Sequence, residues 1–312
     1  MRSTLLALLL VCSLGSFAST AKEQLRVVTT LPSLADIAKE IGGERLRVDS
    51  IARGRENLHS MPTRPSALVA ANRADLIVQL GLGLEHAFLP GLLRAAKNEA
   101  IQPGTDGYLN CAVGWEPIQI PPSLSRRNGV DLHPEGNPHY HLSVRAGEHI
   151  ADRLLEALVR RDPGSAKAYR AGHARYVERV RRARKRWAPL AERLAGARVV
   201  QFHLEFDYLL RDYGIETIAT VEPAPGVMPS PKDLARLAER MRELEIDTIV
   251  TAAWSNNRFV QSLADLTGAT ILELPHMVGA ADGTDTWIEL QDELNRRLAK
   301  RFPAPDEGRL DH

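Results

Sequence analysis

Histidine is the side chain whose placement in this 312-residue sequence points to chemistry: there are ten, against two cysteines. Six of them fall in loops that follow short apolar runs or in one long irregular segment. His59 lies in Glu56-Asn57-Leu58-His59-Ser60-Met61-Pro62, and His203 directly follows Val199-Val200-Gln201-Phe202. His276 follows Ile271-Leu272-Glu273-Leu274-Pro275, and His133, His139 and His141 crowd into one stretch from Asp131 to His141. Neutral imidazole is a preferred donor to zinc, which takes four nitrogen, sulfur or oxygen ligands in a tetrahedron. Manganese, calcium and magnesium prefer oxygen, so an imidazole-rich set favours zinc. His86, His149 and His173 sit inside helical patterns and His312 ends the chain; these four read as ordinary surface or core histidines.

The elements around these histidines alternate. In the first half, Leu25–Thr30, Leu46–Ile51 and Asp75–Leu80 read as strands, separated by helical patterns at Ser33–Ile41, Pro65–Asn72 and Leu84–Lys97. The second half repeats that order: Val199–Phe202, Glu216–Val221, Asp247–Thr251 and Thr270–Leu274 as strands, with helices at Phe206–Tyr213, Ser230–Glu245, Asn257–Thr267 and Trp287–Arg301. Alternation of this kind implies βαβ units on parallel sheets. Residues 100–142 carry several Pro and Gly and read as a long loop.

Between the halves, Tyr169, His173, Tyr176, Val180, Ala183 and Trp187 recur at steps of four and three. They form one stripe of an amphipathic helix about 35 Å long whose other face is rich in Arg and Lys. Pro189 is expected to end or kink it near Trp187. The chain then divides into a leader over 1–21, an α/β lobe over 22–162, a linker helix over 163–188 and a second α/β lobe over 189–312. The architecture is two Rossmann-like α/β lobes joined by one long rigid helix. In open sheets ligands bind beyond the carboxyl ends of strands, so the histidines of both lobes would face one interlobe cleft.

Forty basic and 39 acidic residues leave a formal charge of +1, which removes the electrostatic case for nucleic acid. Arg2, the run from Leu5 to Val11 and small residues through Ala18 and Ala21 make a secretory leader, too short to span a membrane. Cys12 is preceded by Val11 where a lipoprotein signal wants a small residue, so a soluble extracytoplasmic protein is expected. Removing the leader leaves Cys111 alone, without a disulfide partner.

Several motifs together resemble the zinc/manganese (cluster A-I) solute-binding proteins of bacterial metal-uptake ABC transporters. They are Leu58-His59-Ser60 with Pro65-Ser66, Gly81-Leu82-Gly83-Leu84-Glu85, Gly136-Asn137-Pro138-His139, Phe202-His203 with Tyr208-Leu209 and Tyr213-Gly214, and Val221-Glu222-Pro223 with Pro225-Gly226. The resemblance covers nearly the whole mature chain. It implies a metal held between the lobes, by His59 and His139 from the first and His203 from the second. The family's fourth ligand is commonly acidic and lies in the last strand-to-helix loop. Here that loop holds His276, which becomes the candidate, with Glu222, Asp282 or a water as alternatives. Leu58 stands where an acidic residue usually precedes the first ligand, and His141 stands where an aromatic usually follows the second.

The resemblance implies a periplasmic receptor, monomeric, that binds zinc as its transported substrate and hands it to a membrane permease. Its affinity should fall as pH drops through the histidine range. A manganese or iron(II) uptake receptor is the alternative on the same fold, and a zinc chaperone or adhesin is another use of the scaffold. A secreted zinc hydrolase, with Glu205 or Glu222 as general base, is the rival from a different class. The sequence has neither a His-Glu-x-x-His helix nor a nucleophile elbow, so no enzyme is expected.

Overall fold

A computed structural model describes residues 24–122, 133–255 and 257–303. The leader over 1–21, Cys12, the segment 123–132 and His312 lie outside the described residues. The first lobe holds β1 (Leu25–Thr29), α1 (Pro32–Gly42), β2 (Leu46–Ser50), α2 (Pro65–Asn72), β3 (Leu76–Gln79), α3 (Leu89–Ala96), β4 (Tyr108–Asn110) and α4 (Ala146–Arg161). Helix α5 (Ala166–Leu194) follows. The second lobe holds β5 (Arg198–Gln201), α6 (Asp207–Asp212), β6 (Glu216–Thr220), α7 (Pro231–Glu243), β7 (Thr248–Ala252), α8 (Asn257–Thr267), β8 (Thr270–Leu274) and α9 (Trp287–Arg301). Among the described residues, no helix is long and apolar enough to cross a membrane.

The sheets are parallel throughout and share one topology, β2-β1-β3-β4 and β6-β5-β7-β8. In each, the chain leaves the first strand for one neighbour and then returns to the other side. The switch points therefore lie between β1 and β3 and between β5 and β7, where loops diverge and leave a crevice. Strand β4 was not legible in the sequence: three residues inside a Pro- and Gly-rich stretch show no period. The helical reading from Leu84 also shortens, because a run of tight turns anchored on Glu85 occupies residues 81–88.

Helix α5 runs 29 residues and continues past Pro189 to Leu194, so the proline does not end it near Trp187. An interior proline costs about 3 kcal/mol. Packing offsets it: Leu194 is fully buried, and Leu190 and Ala191 pack against the core in the turn that the proline would have released. The apolar stripe holds, except that His173 stays at the edge, paired with Asp152, while Gly172 turns inward. A Cβ on Gly172 would lie 2.1 Å from the Ile41 carbonyl oxygen, so glycine lets α5 lie against α1. The basic face is solvated and ion-paired, Arg179 with Glu40 and Arg181 and Arg184 with Glu148.

One apolar core runs through both lobes, joining Val27, Ile77 and Leu154 to Leu209, Val250 and Trp287; a second cluster packs α7 and α8 onto the outer side of the second sheet. Helix α9 ties the lobes: the Trp287 backbone N–H donates to Asp36 at 2.8 Å and its indole to the His141 carbonyl at 2.9 Å. The lobes are thus packed together, not merely tethered.

Candidate metal centre

Two of the cleft histidines are set by the same local device. In Asn57-Leu58-His59 and Asn137-Pro138-His139, the asparagine Oδ1 accepts the backbone N–H of the histidine two residues on, at 2.9 Å in both cases. Such Asx turns fix where the following side chain points. Asn137 does more: its amide donates to the Leu204 carbonyl of the second lobe at 2.7 Å, and its carbonyl accepts the Tyr208 hydroxyl at 2.8 Å. The backbone that carries His139 is therefore bonded to the segment that follows His203.

His203 emerges from the carboxyl end of β5, at the switch point of the second sheet. Glu222 lies beyond the end of the neighbouring β6, and the ladder continues to it through Val221 N–H to Gln201 and Glu222 N–H to Phe202. Its Oε2 accepts from His203 Nδ1 at 2.8 Å and from the Gly226 N–H at 3.2 Å. A carboxylate on Nδ1 holds the proton there and leaves the Nε2 lone pair directed into the cleft.

The three rings converge. His59, His139 and His203, all buried, place ligand nitrogens within 4.8 Å of one another, and the Nε2 atoms of His59 and His139 are 3.3 Å apart. Their centroids are separated by 5.1, 5.2 and 5.5 Å. Zinc with four bonds of 2.0–2.1 Å sets neighbouring nitrogens about 3.3–3.4 Å apart and neighbouring ring centroids about 5.2 Å apart. The set thus has the spacing of three corners of a zinc tetrahedron. Burial first, and then the neighbouring imidazoles, hold His59 and His139 well below the usual histidine range. Both are neutral and able to donate a lone pair at neutral pH.

The remaining sequence candidates stand elsewhere. His276 lies outside this group: its Nε2 is 3.0 Å from the Glu56 carbonyl, and its own carbonyl meets His141 Nε2 at 2.9 Å. His276 and His141 thereby stitch the seam between the lobes. His276 follows β8, an edge strand two places from β5 in the second sheet. Asp282 is exposed. Glu205 is buried and accepts the Trp254 indole at 2.9 Å, and burial raises its pKa to about 7. Glu85, from the Gly-Leu-Gly-Leu-Glu motif, accepts from Thr30 and from the Leu80 and Gly81 N–H groups, pinning the turn after β3. His133, buried beside His59, was left without a role by the sequence. His149 and His173 bond to the Cys111 carbonyl and Asp152, as bystanders would.

Comparison with known proteins finds matches over most of the chain. The family described as "Zinc-uptake complex component A periplasmic" (ZnuA) matches residues 27–301. The chain is 25% identical over 292 residues to the "Iron-binding protein YfeA" of Yersinia pestis, covering 91% of this chain and 88% of that protein. It is 24% identical over 258 residues to the "Manganese ABC transporter substrate-binding lipoprotein PsaA" of Streptococcus pneumoniae, covering 82% and 81%. A crystal structure of ZnuA superposes with a TM-score of 0.75 at 21% identity, covering 90% of this chain and all of that one.

Proposed function

The chain belongs to the ZnuA family of metal-binding periplasmic components of ABC transporters, and from that premise we propose that it captures zinc(II) outside the cytoplasm and delivers it to a membrane permease. The observation that carries zinc is the composition of the converging set: three imidazoles at tetrahedral spacing and no carboxylate among them. Oxygen-seeking ions such as manganese gain little from such donors, and zinc gains more. Relatives are named for iron and for manganese, so the metal rests on this chain's own donors. His59 and His139 from the first lobe and His203 from the second are the proposed ligands, with Glu222 orienting His203.

The hydrolase reading draws no support from the carboxylates that it needs. Glu222 is spent on His203 Nδ1 and Glu205 on the Trp254 indole, which leaves neither aimed at the convergent nitrogens as a general base. The receptor is proposed to act as a single chain, since one chain supplies both lobes, and to be released by cleavage of its leader without a lipid on Cys12. PsaA is named a lipoprotein; the mass of the mature N-terminus distinguishes a cut after Ala18 or Ala21 from an acylated Cys12.

The test of function is calorimetric titration of the apo protein with zinc, with His59, His139 and His203 replaced singly by Ala. Each change is expected to abolish tight binding, and an excess of manganese is expected to leave bound zinc in place. Unchanged affinity in all three variants, or displacement by manganese, overturns the assignment.

A further inference from the structure

Resting on the receptor reading, we infer that His133 supplies a fourth imidazole and closes the zinc site as an all-histidine tetrahedron. The His133 ring centroid lies 5.2 Å from that of His59, which is the spacing of about 5.2 Å that a shared tetrahedral zinc sets between two imidazoles. It lies 6.5 Å from that of His139, so on that side the ring has about 1 Å to close. His133 stands outside the three residues whose ligand atoms already lie within 4.8 Å of one another, so rotation about its side-chain bonds has to supply that distance, from a backbone whose carbonyl accepts the Gly136 N–H at 3.1 Å.

The state of the His133 nitrogens is the second observation. The residue is 8% exposed, its Nε2 has no hydrogen-bond partner, and only the Gly83 backbone stands beside its Nδ1. A buried polar atom left unpaired is costly, and a metal bond to one nitrogen removes that cost. The ring also lines the same small cavity as His139 and His203. Its other ring neighbour, exposed His86, is 5.7 Å away and is held by the Gly83 carbonyl.

The rival fourth ligands are otherwise engaged. Glu222 serves His203 and Gly226. His276 Nε2 serves the Glu56 carbonyl at 3.0 Å, and its own carbonyl serves His141. Asp282 is at the surface. Four imidazoles would leave zinc no water, as in closed structural sites and unlike catalytic ones.

Zinc K-edge X-ray absorption on the zinc-loaded protein tests this directly, by counting imidazoles. The wild type is expected to show four, and His133→Ala three with one oxygen, while His276→Ala keeps four. The affinity of His133→Ala for zinc is expected to fall at least 10- to 100-fold, the loss that even an outer-shell partner costs. Three imidazoles and an oxygen in the wild type overturn the inference without any variant, and leave the zinc receptor standing. Failure of the wild type to bind zinc would overturn both.

Discussion

Glu222 accepts the Nδ1 proton of His203 at 2.8 Å, both side chains buried, at the ends of two adjacent strands. This pairing fixes which nitrogen of His203 faces the cleft. Glu222→Ala is expected to weaken zinc binding 10- to 100-fold through loss of the outer-shell acceptor. Glu222→Gln, whose carbonyl oxygen still accepts from Nδ1, is expected to recover part of that loss. Calorimetry on the three proteins checks it, and equal affinities would remove the orienting role.

Metal binding should be less sensitive to acid than three exposed histidines would allow. Burial holds His59 and His139 well below the usual value near 6.5, so protons compete with zinc only at lower pH. Three exposed imidazoles of ordinary pKa would lose roughly 50-fold in affinity from pH 7.5 to 6.0. The expected loss here is smaller than that, measured by chelator competition at both pH values. A fall of tens-fold over that interval would contradict the buried, neutral site, and would restore the dependence expected from sequence.

His276 makes the apo protein sensitive to acid. Its folded pKa is lowered to about 3, by burial first and then by His141 and Arg55. Above pH 6.5 it is neutral both folded and unfolded and contributes no pH dependence. Below 6.5 the unfolded chain takes up a proton that the folded one refuses, so stability falls with pH down to about 3. Between pH 6.5 and 5 the loss is about 2 kcal/mol. Urea unfolding of the metal-free protein is expected to show that His276→Asn loses about 2 kcal/mol less than wild type over this interval. Parallel losses would refute it.

The seam between the lobes depends on two glycines. A Cβ on Gly54 would meet the Gly279 carbonyl carbon and oxygen at 2.1 Å, backbone against backbone. Gly54→Ala is expected to cost about 1–3 kcal/mol through overpacking and to hasten zinc release, because it wedges the loops that carry Glu56 and His276. Thermal unfolding and stopped-flow zinc release check the two effects. Wild-type values in both would show that the seam yields without consequence.

Much of this arrangement was legible in the chain. The alternation of apolar runs with amphipathic stretches identifies two parallel-sheet lobes, since strand and helix periods differ and each must bury one face. Asn57-Leu58-His59 and Asn137-Pro138-His139 carry their own local geometry, because an Asx turn needs only neighbouring residues. Helix α5 was legible as a stripe but not in length: whether a helix passes Pro189 depends on the burial of Leu194, which no local pattern reports.

What the sequence determined by itself was the donor chemistry and the strand ends that present it: ten histidines against two cysteines, and no hydrolase motif. Which histidines meet was decided only in three dimensions. His203 and His276 look alike in sequence, each just past a strand, but the order β6-β5-β7-β8 puts one at the switch point and the other at the sheet edge. Strand order is set by long-range packing and crossover connections, which leave no mark on the residues next to a histidine. The same is true of His133, which reaches the ring of His59 from 74 positions further along the chain, in the turn that Gly136 closes.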